Sequence, residues 1–331
     1  MSGAEFGRHY RHLADRVARE LLGKENKIEL ALTCILADGH LLLEDLPGLG
    51  KTKLANALAH AFGGEYRRVQ GTPDLLPSDI TGSIIFGRDV DPVKILDGTE
   101  EPPLRKGPVF ANVLLCDEIN RTPPRTQSAL LEAMEERQTT IFARTYPLPD
   151  PFFVIATQNP VDLDGTYPLP EAQLDRFLMR FDLGYPSSEV MLRILAEIGD
   201  RRRIDESAAT HARPVVTCAE LVEMIRYVHR IPAAPIVRGY VIDLVDATRV
   251  ADEVLLGASP RAALALLAAA RAFAAGRGSD HVEIDHVHAV AAPVLAHRIV
   301  LRSPPATGLS GAQAEFVTKL VGNLPTPKTV R

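Results

Sequence analysis

"LLLEDLPGLGKTKLANAL", residues 41–58, joins an apolar run to a glycine-rich turn and then to a helical repeat. His40-Leu41-Leu42-Leu43 reads as a short buried parallel strand. Leu54, Ala55, Leu58 and Ala61 recur at helical spacing and stop at Gly63-Gly64. A loop between a strand and a helix N-terminus presents unpaired N–H groups and a positive dipole end, which together favour an anion. Gly48 and Gly50 allow a tight curl, Lys51 can reach the outer phosphates of a nucleotide, and Thr52 can ligate magnesium. The phosphate-loop pattern G-x-x-x-x-G-K-[ST] is broken once, because Asp45 stands where its first glycine belongs. Position 45 precedes the amides that would cradle phosphate. Asp45 therefore needs no positive φ if the chain stays extended there, and its carboxylate is expected to point away from the anion.

The whole chain sets the bounds. At 331 residues, 46% hydrophobic and 24% charged, it has the make-up of a globular protein with room for two domains. A net charge of −5 gives no general pull towards nucleic acid or membrane. Cys34, Cys116 and Cys218 are scattered among apolar neighbours, which fits reduced thiols better than disulfides or a metal site. The start, "MSGAEFGRHYRHLADRVARE", has no apolar signal core, and the longest apolar run, residues 262–270, is too short for a bilayer. A soluble, cytoplasmic protein is expected.

Residues 10–37 read as two helices broken near Gly23. A second strand is expected at "YRRVQ", a short helical pattern in "TPDLLPSDITGS", and a hairpin-like insertion over residues 83–107. "VFANVLLCDEIN" is a buried strand ending in acids, "RTQSALLEAMEER" an amphipathic helix, and "TTIFARTYPLP" a short hairpin. "FFVIATQNP" and, after a helix at "EAQLDRF", "RFDLGY" read as further strands. Strands alternating with helices imply an α/β fold with a parallel, doubly wound sheet. From about residue 213 four helix-like segments follow, so the expected domains are residues 1–212 and a small helical domain at 213–331. The pentapeptide "TYPLP" occurs at Thr145–Pro149 and Thr166–Pro170 and reads as two similar turns. The tail "PTPKTVR" reads as disordered.

In "NVLLCDEINR" two acids end a buried strand. On a strand neighbouring the phosphate loop, Asp117 can hold Mg²⁺ through water, and Glu118 can orient and deprotonate an attacking water. A solvated strand end would look the same in isolation; the pairing with Lys51-Thr52 favours chemistry. Asn159, ending "VIATQN", is expected between those two strand ends, within reach of the water or the terminal phosphate. Arg176 ends a helix, where it could simply answer the dipole. In "GASPRAAL", Ser259 is a suitable N-cap and Pro260 a suitable first-turn residue. Arg261 then lies in a first helical turn, where a cation is unfavourable unless an anion is near, and that local conflict points to function.

Strand–loop–helix, "VLLCDE", "ATQN", "LDRF" and "SPRA", in this order, resemble an AAA+ ATPase, and over residues 20–300 the chain is closer still to the MoxR family. The match is carried by "LLEDLPGLGKT", "QGTPDLLPSDITG", "GPVFANVLLCDEINRTPPRTQSALLEAMEERQTT", "YPLPDPFFVIATQNP" and "GTYPLPEAQLDRF". The resemblance implies a P-loop NTPase core with helix-2 and pre-sensor-1 hairpin insertions, followed by a helical lid. It makes Asp45 a tolerated variant in a nucleotide loop of Asp45, Leu46, Pro47, Gly48, Leu49, Gly50, Lys51 and Thr52. It further implies Lys51 and Thr52 as the Walker A pair and Asp117 and Glu118 as the Walker B pair. Asn159 would be sensor 1, Arg176 the arginine finger (with Arg180 and Arg121 as rivals) and Arg261 sensor 2. ATP and Mg²⁺ follow, as do a hexameric ring and a chaperone role on a client, often one carrying a von Willebrand factor A domain.

Other motors share this architecture. A nucleic-acid translocase should carry basic insertions. Residues 82–107 hold Arg88, Lys94, Arg105 and Lys106 against Asp89, Asp91, Asp97, Glu100 and Glu101, a net −1. Residues 136–150 balance Arg137 and Arg144 against Glu136 and Asp150. Nucleic acid is thus disfavoured. A chelatase-type subunit stays open, whereas the intact Glu118 argues against a nucleotide switch that cannot hydrolyse. His281, His286 and His288 do not have the spacing of a tetrahedral metal site.

Overall fold

The structure, a computed structural model, describes residues 1–85, 103–142, 144–160, 165–201, 213–303 and 311–327. Two helices lead in, α1 (Gly3–Glu20) and α2 (Glu25–Leu36), divided at Gly23 as the sequence suggests. The core then runs β1 (Leu41–Glu44), α3 (Lys51–Ala61), β2 (Tyr66–Gln70), α4 (Pro77–Thr81), β3 (Gly82–Ile84), β4 (Leu104–Lys106), β5 (Val113–Asp117) and α5 (Pro124–Glu136). After these come β6 (Gln138–Ile141), β7 (Arg144–Pro147), β8 (Phe153–Gln158), α6 (Glu171–Leu174), β9 (Met179–Phe181) and α7 (Ser188–Arg201). The remainder is helical, with α8 (Cys218–His229), α9 (Pro235–Val250), α10 (Pro260–Gly276), α11 (Ile284–Leu295) and α12 (Gly311–Asn323). One small antiparallel pair interrupts it, β10 (Val254–Leu256) with β11 (Val300–Leu301).

β2, β5, β8, β1 and β9 form a five-stranded parallel sheet in that order. Its central strands β5, β8 and β1 are apolar on both faces because both faces are covered. Leu41, Leu43, Val113, Leu115, Phe153 and Ile155 point into one core with α1, α2, α3 and the C-terminal helices. Leu42, Leu114, Cys116, Val154 and Ala156 point into the other, against Leu130, Leu131 and Met134 of α5. The first core is continuous across the expected domain division: Phe6 of α1 stacks on Tyr227 of α8 at 4.9 Å.

Four expectations need correcting. β5 does not neighbour β1, because β8 lies between them. The last strand leaves the ladder after Phe181 rather than running to Tyr185, since the Leu183 and Gly184 amides donate to the Asp45 carboxylate instead of to a strand. The two "TYPLP" segments are not similar turns. The first starts in β7 and the second approaches α6 as irregular chain, and what they share is a buried leucine, Leu148 and Leu169. Finally, α12 adds a helix to the four-segment reading, and α7, ahead of residue 213, is a helix that the sequence reading did not include. The base of the residue 83–107 insertion is the β3–β4 hairpin; its "DGTEEP" stretch lies outside the described residues. The β6–β7 hairpin is present just before β8.

Candidate active site

β1 ends on Glu44, Asp45 follows it, and the loop reaches Gly50, which caps α3 with φ 102°. Gly48 has φ 85°. Both values lie in the left-handed region that favours glycine, so these two positions let the loop curl back over the helix N-terminus. Lys51 is buried, and its Nζ donates to the carbonyls of Asp45 (2.8 Å) and Leu46 (3.1 Å). The ammonium is thereby held inside the curl. The Asp45 carboxylate turns the other way, accepting from the amides of Leu183 (2.8 Å), Gly184 (3.2 Å) and Leu46 (2.9 Å). This carboxylate ties the loop to the chain leaving β9, and Lys24 secures the same chain from α2's start by donating to Gly184 O and Tyr185 O, both at 2.9 Å.

Two strands away, Asp117 ends β5. Its Oδ1 accepts the Thr157 hydroxyl at 2.6 Å, and its Oδ2 accepts from Arg68 at 2.7 Å. The Glu118 amide donates to the same Thr157 hydroxyl at 2.9 Å. Glu118 itself is left-handed, with φ 55° and ψ 53°, a conformation that costs a non-glycine residue about 1–3 kcal/mol and clusters at working sites. The twist turns its carboxylate out of the strand line, 3.7 Å from Arg121. Asn159 follows the last residue of β8, the strand between Asp117 and the loop, as expected.

Loop and acids line one cavity of about 780 Å³, within the range of small-molecule sites. Its wall carries Arg19, Lys24, Lys51, Lys53 and Arg68 against Glu20, Asp117 and Glu118, a surplus of positive charge suited to a polyphosphate. An apolar wall is formed by Leu21, Leu22, Tyr185, Pro186, Met191 and Ile194. Sequence reading missed this wall and Arg68. The wall comes from separate segments that are juxtaposed only by the fold, and no local pattern announces it. Thr52 and Asp117 line the same cavity, so a hydroxyl and a carboxylate are available to a hard cation such as Mg²⁺.

The two arginines from "LDRF" and "SPRA" are elsewhere. Arg176 and Arg261 share a second cavity with His40 and Asp38, at the opposite end of β1 from the loop. Both grip one carboxylate: Arg176 to Glu135 Oε2 and Arg261 to Glu135 Oε1, each at 3.1 Å. Glu135 is thus the anion that the first turn of α10 needs. Ser259 occupies the N-cap but does not bond the helix amides; its hydroxyl donates to Asp175 at 3.3 Å. The turn bearing Arg176 is held by buried Arg298, which donates to Asp175 Oδ1 (2.7 Å), Phe177 O (2.7 Å) and Leu178 O (3.0 Å). Arg180 is buried beside Glu44 at 3.6 Å, and burial lowers its pKa while Glu44 opposes the shift. Arg121 sits by Glu118 in the chain's own site. Of the three finger candidates, Arg176 lies on the face away from that site. The histidines face separate partners: His281 Asp280, His286 the Glu283 amide, His288 the Tyr240 hydroxyl.

A curled loop on a helix N-terminus, facing paired acids across a parallel sheet, with a helical lid behind, defines a P-loop ATPase of the AAA class. Sequence comparison agrees. The profile "ATPase family associated with various cellular activities (AAA)" matches residues 40–179, and the AAA lid domain matches 246–319. The chain is 42% identical over 305 residues to the uncharacterized protein YeaC of Bacillus subtilis, covering 92% of this chain and 90% of that one. It is 40% identical over 294 residues to Chaperone MoxR1 of Mycobacterium tuberculosis, covering 86% and 74%. A crystal structure of a proposed ATPase from Cytophaga hutchinsonii superimposes with a TM-score of 0.85 at 35% identity, over 98% of this chain and 97% of that one. The chain belongs to the MoxR family of AAA+ ATPases, and its reaction is the hydrolysis of ATP.

No helix among the described residues is long and apolar enough to cross a membrane.

Proposed function

We propose that this chain is the motor subunit of a cytoplasmic ring, a hexamer, that uses ATP to remodel or activate a partner protein or to assist its metal or cofactor insertion, the partner carrying a von Willebrand factor A domain. The observation that carries the motor reading is the division of the chemistry between two faces. The loop amides and Lys51 would bind the phosphates, and Thr52 and Asp117 would hold Mg²⁺, which when bound neutralises charge on the transferring phosphoryl group. Glu118, aimed by its left-handed backbone, would take the proton of the attacking water, and Asn159 would orient that water. Arg176 and Arg261, on the far face beside Glu135, would serve the nucleotide of the next subunit. A site completed by the neighbour makes hydrolysis depend on the ring, as a motor acting on a client requires. The chaperone name of the MoxR1 relative supports the client class, and the balanced charge of the two insertions weighs against nucleic acid.

A purified von Willebrand factor A-domain protein from the same organism provides the test. It should bind in the presence of ATP and raise ATPase activity at least about twofold. Stimulation by DNA with no response to that protein would overturn the client reading in favour of a translocase.

A further inference from the structure

β2 carries two consecutive arginines, and strand alternation sends them to opposite faces. Arg67 turns to Glu65 at 2.7 Å, both side chains more than half exposed. Arg68 turns into the nucleotide cavity. Parallel pairing sets Arg68 opposite Leu115 and Gln70 opposite Asp117, so Arg68 and Asp117 are diagonal neighbours on one sheet face. The same Arg68 nitrogen donates to Asp117 Oδ2 at 2.7 Å and to Gln70 Oε1 at 3.0 Å. Asp117 Oδ1 is taken by Thr157. The Arg68 side chain is 48% exposed, so water was open to it, yet its charge is directed onto the one strand-end carboxylate suited to a divalent cation.

Asp117 Oδ2 can serve a guanidinium or the hydration shell of Mg²⁺, and two cations repel across one oxygen. We propose that Arg68 is a built-in counter-ion of Asp117 that sets the magnesium requirement of the site. It competes for Oδ2, weakening divalent binding, and with or without metal its half-exposed guanidinium stays in the cavity as positive charge available to the phosphates. The arrangement couples metal binding to nucleotide binding. This inference rests on the proposed assignment of Asp117 to the metal.

The two halves predict opposite signs for one substitution. Arg68→Gln removes the competitor, so Mn²⁺ binding in the presence of a saturating non-hydrolysable ATP analogue, read by electron paramagnetic resonance, should tighten about three- to tenfold, the modest range suiting a half-exposed pair. The same variant should bind the analogue in EDTA a few-fold more weakly. Arg68→Lys should stay within about twofold of the parent in both measurements. A merely structural Arg68 would loosen both or neither. Asp117→Asn is the control for the site itself: if it leaves Mn²⁺ binding unchanged, the metal assignment fails and the inference with it. If Asp117→Asn weakens Mn²⁺ binding while Arg68→Gln leaves it equal or weaker, the metal assignment stands and the role of Arg68 is overturned.

Discussion

Asp45 shows what a single residue discloses and what it hides. Its departure from the loop pattern is visible in the sequence, as is the expectation that its carboxylate avoids the phosphates. The reason it is there is not visible, because its main partners, Leu183 and Gly184, lie 138 and 139 residues away. Asp45→Gly should therefore leave ATP affinity within a few-fold, since the carboxylate is not aimed at the anion, but should cost about 1–3 kcal/mol of stability by orphaning those amides. Nucleotide titration together with denaturant unfolding checks both halves; a large gain in affinity would mean that the carboxylate repels phosphate. His40 offers a second residue-scale test. Its Nδ1 accepts from the Val154 amide and its Nε2 donates to Met134 O, each at 3.1 Å, so the buried ring is neutral. Burial pushes its pKa from 6.5 down to about 3. The unfolded chain binds that proton first as pH falls, so this stabilising contribution is full above pH 6.5 and is lost progressively towards pH 3. By pH 5 it should cost about 2 kcal/mol. Unfolding free energies at pH 7.5 and 5 should differ by about that much more in the parent than in His40→Gln.

Elements that are strongly periodic, such as β1, β5, β8 and α5, were legible because burial on one or both faces writes itself into local sequence. Their order was legible only in part. Asn159 is expected between the two strand ends, while β5 is expected to neighbour the loop strand. The separation of β1 from β5 by β8 is set by contacts far apart in the chain. α7, which supplies Met191 and Ile194 to the cavity wall, is periodic in sequence, but nothing local ties it to a nucleotide site. At the β2–β5 pair, Gly71 crosses directly over the acidic strand end. Its amide donates to Asp117 O at 2.6 Å, and a Cβ there would sit 2.2 Å from Glu118 O. Gly71→Ala must push the two acids aside. It is expected to cost about 1–3 kcal/mol of stability and on the order of ten- to a hundredfold in hydrolysis, because displacing catalytic groups by fractions of an ångström is expensive. Unfolding and single-turnover assays would show this; unaltered turnover would mean that Glu118 is not where the chemistry occurs.

At the scale of the whole molecule, the sequence named the loop and the acids as belonging together. The family resemblance gave Arg176 as the arginine finger and Arg261 as sensor 2 without saying where the two lie relative to each other. The structure adds that Arg176, on a turn gripped by Arg298, and Arg261 share one face and one carboxylate, away from their own chain's loop. An arginine supplied by a neighbour is worth about 10³–10⁵ in rate in related NTPases, so the isolated chain should be nearly idle and activity per chain should rise as rings form. The most direct measurement mixes Arg176→Ala chains, which keep intact loops, with Lys51→Ala chains, which keep intact arginines. Each alone should be inactive, and the mixture should recover a substantial share of activity, with Arg261→Ala rescued by Lys51→Ala in the same way. Activity per chain that stays flat with concentration, and no recovery on mixing, would contradict the shared site and leave both arginines as partners of Glu135 alone.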